Sequence, residues 1–110
     1  MTFKVETTEI AEAEIEALFL RLNFWNPDIA GRWLEGLLRA IEGLDIFPRS
    51  HPVVRQSEQL NREVRRMSYK HGRTTYLILF CLIDANEIGD SDIVHVLHVR
   101  HGAQGSVTEI

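Results

Sequence analysis

Residues 64–83 read VRRMSYKHGRTTYLILFCLI, and residues 92–104 read DIVHVLHVRHGAQ. The first block is a basic strand, a short turn and a very apolar strand. Side chains alternate along a strand, so Val64, Arg66, Ser68 and Lys70 share one face, with Arg65, Met67 and Tyr69 on the other. His71-Gly72-Arg73 contains the glycine that a tight hairpin needs. Residues 74–83 are β-branched, aromatic or aliphatic on both faces, the composition of a strand inside a sheet. After a polar connection over residues 84–92, residues 93–101 form a last strand ending rich in His and Arg. Strict alternation there places His98 and Arg100 with Val94 and Val96, and His95 and His101 opposite. The expectation is a three-stranded antiparallel meander, roofed on one face by the rest of the chain and open to a charged partner on the other.

Upstream, residues 2–7 alternate Phe3 and Val5 against Lys4 and Glu6, a short strand. Thr7 or Thr8 can cap a helix whose early Glu9 and Glu12 suit the positive end of its dipole. Ile15, Leu18, Phe19 and Leu22 recur at helical spacing, and this helix should stop near residues 23–25. Asn26-Pro27-Asp28 restarts a helix, with Asn as cap and Pro at the first position. Its apolar rows are Trp33, Leu37, Ala40, Leu44 and Phe47, and beside them Leu34, Leu38 and Ile41. Gly36 and Gly43 lie on one side of it, where close approach of another backbone would offset their cost in a helix. Trp25 and Trp33 read as core or hairpin residues, and Tyr69 and Tyr76 as sheet packing. Pro48 ends the helix, and residues 47–52 form a stiff connector. The whole chain, residues 1–110, reads as one α+β domain of order β-α-α-β-β-β.

At 110 residues with 45% hydrophobic content, the chain can fill one core and not two. No apolar run reaches the roughly 20 residues of a membrane span, and residues 1–6 lack a signal-peptide profile, so the expected compartment is the cytoplasm. The lone Cys81, inside the apolar strand, reads as a small buried hydrophobe. The net charge of −4 is unevenly spread. Residues 1–47 carry nine acids against four bases, whereas residues 61–73 hold Arg62, Arg65, Arg66, Lys70 and Arg73 against Glu63 alone. An acidic helical half beside a basic strand points to an anionic partner at the sheet. No His, Cys, Asp and Glu spacing matches a metal site, and no phosphate loop or nucleophile elbow occurs, so no cofactor is expected. Asp84, Glu87, Asp90 and Asp92 read as an exposed loop.

Taken in order, Trp33-Leu34, Leu37, Ala40-Ile41, Leu44, Phe47-Pro48, Val64-Arg65, residues 76–80 (YLILF) and residues 93–104 form a sequence of words. From about Phe3 to Gln104 this order resembles the RelE/ParE superfamily of bacterial type II toxins, also called plasmid stabilisation proteins. The resemblance implies two helices packed on one face of a small antiparallel sheet. It also implies a cognate antitoxin, a small dimeric DNA-binding protein whose flexible tail holds the toxin silent in a hetero-oligomer.

Two chemistries occur in that superfamily. RelE-like members cut mRNA on the ribosome with basic and aromatic residues of the open sheet face and tail. ParE-like members poison DNA gyrase without known nuclease chemistry. Here the last strand ends in an HG pair at His101-Gly102, and no Tyr, Lys or Arg follows, which favours the ParE-like branch. If the chain is instead a metal-free endoribonuclease, Lys70, Arg73, His98 and Arg100 are the candidates for phosphate clamps and proton carriers. For contact with target or antitoxin, the candidates are Arg65, Arg66, Lys70, Arg73 and Arg100. Arg65 has an equally strong structural reading, pairing with a helix or tail carboxylate. A third reading is a degenerate toxin that only binds its antitoxin.

Overall fold

A computed structural model describes residues 3–55, 62–83 and 92–102. In chain order these form strand β1 (Lys4–Thr7), helices α1 (Glu9–Trp25) and α2 (Pro27–Glu42), and strands β2 (Val64–His71), β3 (Thr74–Ile83) and β4 (Ile93–His101). Two 3-10 turns, Gly43–Asp45 and Pro48–Ser50, lie between α2 and β2. The loop expected over residues 84–91, residues 56–61 and the tail after Gly102 lie outside the described residues.

The local rules account for the elements. Thr8 caps α1 by accepting from the Ala11 N–H at 3.2 Å. Asn26 ends α1 and caps α2, its side chain accepting from the N–H groups of Asp28 and Ile29 at 3.1 and 3.2 Å. One residue therefore separates the helices. The β2–β3 hairpin turns on Gly72-Arg73, with Gly72 at φ +63° in the first turn position, where a residue with a Cβ is strained.

The sheet order is β1-β4-β3-β2. The meander is antiparallel as expected, and β1 joins its other side, parallel to β4 with Lys4 opposite Ile93 and Thr7 opposite Val96. Thr8 extends that seam, its N–H and hydroxyl both donating to the Val96 carbonyl.

Both helices cover one face. Ala11, Ile15 and Leu18 of α1 and Trp33, Leu37 and Ile41 of α2 pack with Leu44 onto Tyr76, Ile78, Phe80, Val94, Val96 and Val99. Trp33 is fully buried at the centre, 5.3 Å from the Tyr76 ring. The second row expected on α2 is only partly inside: Ile41 is buried, Leu34 half-buried and Leu38 44% exposed. Phe47 corrects the first row. The helix ends at Glu42, and Phe47 lies beyond it in the left-handed region (φ 52°, ψ 47°), 78% exposed, so that Pro48 can turn inward and be buried. Trp25 is likewise exposed, at 78%. The glycines of α2 behave differently from the expectation of a facing backbone. A Cβ on Gly36 would collide with the Tyr69 hydroxyl, which donates to the Trp33 carbonyl at 3.0 Å, while Gly43 faces open space.

The other face is not simply open. Val64, Leu79, Cys81 and Leu97 form a second, small cluster closed by Val54 of the connector. Val53 bridges Arg65, with Val54 N–H donating to the Val64 carbonyl at 2.7 Å and Arg66 N–H to the Pro52 carbonyl at 3.0 Å. The connector thus lies along β2 like a fragment of a fifth strand.

Candidate functional site

Beyond that small cluster, the outer face presents the basic strand. Arg66, Ser68 and Lys70 are exposed on β2, and Arg73 is exposed in the hairpin turn. Arg66 and Arg73 line a concavity of about 450 Å³ together with Thr74, Thr75, Leu77, His101 and Gly102. Gly102 is required at its floor, because a Cβ there would stand 2.6 Å from the Thr75 carbonyl oxygen. The HG ending seen in the sequence therefore has a steric basis. Cations around a half-open concavity suit a carboxylate or phosphate guest.

Arg65, adjacent in sequence, does different work. Its guanidinium donates to the carbonyls of Arg49 and His51 at 3.0 and 2.7 Å and to the Glu63 carboxylate at 2.6 Å. Its side chain is only 15% exposed. The partners are connector carbonyls and Glu63, just before β2, rather than a carboxylate from a helix or the tail. Arg65 pins the connector over the small outer cluster.

His98 and Arg100 are displaced from the face that strict alternation gives them. The β3–β4 register slips between Leu79 and Phe80: Leu79 faces His98, Phe80 faces Val96, and Leu97 is the extra residue of a bulge. Val96 and Val99 consequently both point to the helices, while Leu97 joins the outer cluster. The bulge also separates the other two histidines. His101 pairs with Tyr76, ring centroids 5.4 Å apart, and His95 pairs with Cys81 of the outer cluster.

At the bulge, Glu14 of α1 gathers three groups. Its Oε1 accepts from the Val99 N–H at 3.1 Å and lies 3.1 Å from His98 Nδ1, and its Oε2 is 3.7 Å from Arg100 Nε. The described pairing of β1 with β4 ends at Val96, so the carboxylate takes the place a neighbouring strand would have occupied. All three side chains are at least half-buried, with exposures of 14%, 19% and 26% for His98, Arg100 and Glu14.

The four nuclease candidates therefore fall into two groups. His98 and Arg100 meet at Glu14, whereas Lys70 and Arg73 stand at the β2–β3 hairpin. Register places Arg100 opposite Leu77 and Leu77 opposite Ser68, so two strand spacings, roughly 10 Å, separate Arg100 from the β2 side of the sheet. The Glu14 carboxylate on Nδ1 leaves Nε2 as the nitrogen that could carry a proton, but the His98 side chain is only 14% exposed, which limits approach of a substrate to the ring. Among the described residues, no group of three His, Cys, Asp or Glu could hold a metal ion. Burial pushes the Cys81 thiol up from its ordinary range, away from the reactive thiolate. No described helix is long and apolar enough to cross a membrane.

Glu14, which gathers His98, Val99 and Arg100, is absent from the candidates read in the sequence. Glu14 is one of several acids on α1, and only its placement beside the bulge distinguishes it.

Compared with curated proteins, the chain has no significant match. A family model, by contrast, aligns over nearly the whole of the chain. The matched segment, residues 5–105, takes in both helices, the basic strand and the HG ending, and by it the chain belongs to the family described as ParE toxin of type II toxin-antitoxin system, parDE.

Proposed function

We propose that the protein is a cytoplasmic gyrase inhibitor with no reaction of its own, silenced by its cognate antitoxin. Membership of the ParE toxin family implies an antitoxin partner. The observation that supports a binding toxin over a nuclease is that His98 and Arg100 are largely buried beside Glu14, two strands away from the β2 strand that carries Lys70. An internal carboxylate holds the only two nuclease candidates that come together, and Lys70 and Arg73 stand apart from them. The exposed cations Arg66, Lys70 and Arg73 suit an acidic, amphipathic antitoxin tail that orders as it binds, giving a hetero-oligomer. Arg65 contributes by keeping the connector in place.

Two assays on the purified chain test this. The first follows negative supercoiling by gyrase with increasing toxin, and the second maps mRNA ends in a translating extract. Inhibited supercoiling with intact message is expected. Codon-phased cuts that vanish in a His98→Gln/Arg100→Lys variant would replace this reading with an mRNA interferase.

A further inference from the structure

The turn between the helices carries a feature that folding does not require. Every residue from 23 to 29 is exposed. Phe24 and Trp25 are 80% and 78% exposed, with rings edge to face at 5.4 Å. Leu20 (55%) and Ile29 (41%) flank them. The core contacts of α1 come from Ala11, Ile15 and Leu18, supported by Phe19 and Leu22, so the aromatic pair contributes nothing to the interior. Burying two such rings is worth several kcal/mol, and leaving both in water at a hairpin tip is unusual unless something covers them.

The tip is also stiff. Asn26 caps α2 through two backbone bonds, its own N–H closes α1 onto the Leu22 carbonyl at 2.8 Å, and Pro27 fixes the next φ. A rigidly held aromatic pair loses little conformational freedom when it is bound. Its surroundings are cationic. Arg21 stands one helical turn before Trp25, and Arg32 folds back to donate to the Asp28 carbonyl at 3.4 Å. Asp28 is the single acid among residues 17–34, within a first half of the chain that carries nine acids.

We propose that Phe24 and Trp25 are an anchor that inserts into an apolar pocket of the target protein, with carboxylates on the pocket rim facing Arg21 and Arg32. This rests on the reading of the chain as a toxin with a protein target. Two aromatic side chains bury roughly 300–500 Å². A stable interface takes about 800 Å² from each partner, so the tip is too small to hold a second copy of this chain. It suits the centre of a wider contact with a larger partner. The antitoxin's acidic tail is matched instead by the basic sheet, on a different part of the molecule.

The test uses the full chain with Phe24→Ser and Trp25→Ser combined. Because both side chains are exposed, the thermal midpoint should move by no more than about 2 °C. Hot-spot aromatics lose around tenfold or more each on truncation, so gyrase inhibition should need on the order of 100-fold more protein, and growth arrest on induction without antitoxin should disappear. Antitoxin affinity should stay within about twofold. Arg21→Glu with Arg32→Glu should slow association and weaken its salt dependence. An active wild type matched by an equally active tip variant overturns the anchor alone. So does a loss confined to antitoxin binding, or one confined to DNA without gyrase. A wild type that neither inhibits gyrase nor arrests growth overturns the anchor together with the toxin reading.

Discussion

Phe80 and Leu79 are neighbours in β3 and both are buried, yet they belong to different interiors. Phe80 faces a cluster fed by two helices and all four strands. Leu79 faces four residues, held down by a connector that Arg65 pins in place. One sheet therefore has a deep face that stabilises the fold and a shallow face that leaves much of its surface for charged side chains. The apolar seal on the shallow side is narrow, yet it hides both Cys81 and Leu79.

The largest effect that tests this contrast comes from paired truncations. Phe80→Ala should cost about 4 kcal/mol in urea unfolding, and Leu79→Ala about 2 kcal/mol, because its thin cover can settle into the gap. Equal costs would mean that the outer cluster is a second full core. Arg65→Ala should follow, at about 1–3 kcal/mol, since it strands two connector carbonyls and frees Glu63. Faster alkylation of Cys81 in that variant would show the seal lifting, and unchanged alkylation would show that Arg65 does not hold it. Glu14→Gln should cost about 1 kcal/mol, with loss of hydrogen-exchange protection at Val99 and not at Val94.

The smallest effect concerns pH. Burial pushes the phenols of Tyr69 and Tyr76 on the helix face above their ordinary 10.0. The unfolded chain thus gives up these protons first. Their contribution to stability is complete below pH 10 and is lost as pH rises through the folded values. Unfolding curves should be flat from pH 7 to 9 and weaken above pH 10, less steeply in Tyr69→Phe. A flat profile to pH 11 would place both hydroxyls in water.

Much of this was legible in the residues. Helical spacing located α1 and α2, Asn26-Pro27 marked the boundary between them, and β-branched runs gave the meander. What escaped has physical causes. Val96-Leu97 puts two apolar residues side by side, and apolar positions then resume at Val99, which is the mark of a bulge, but a strictly alternating strand ignores it. For that reason strict alternation grouped His98 and Arg100 with Val94 and Val96, whereas the bulge sets them opposite Leu79 and Leu77. Phe47 and Trp25 were counted inward because apolar residues usually are, and composition says nothing about a helix that ends early or a tip that projects. Arg65 and Glu14 depend on partners 14 and 85 residues away, which no local pattern contains.

The parallel seam between β1 and β4 has a consequence for synthesis. The first strand waits for the last, with Thr8 bonded to a carbonyl 88 positions downstream. Closing so large a loop is slow and must wait until β4 has been made. Until then Val94, Val96 and Val99 are missing from beneath α1. A chain that stops short of β4 is therefore unassembled, and α1 gains its floor only once the last described strand has been made.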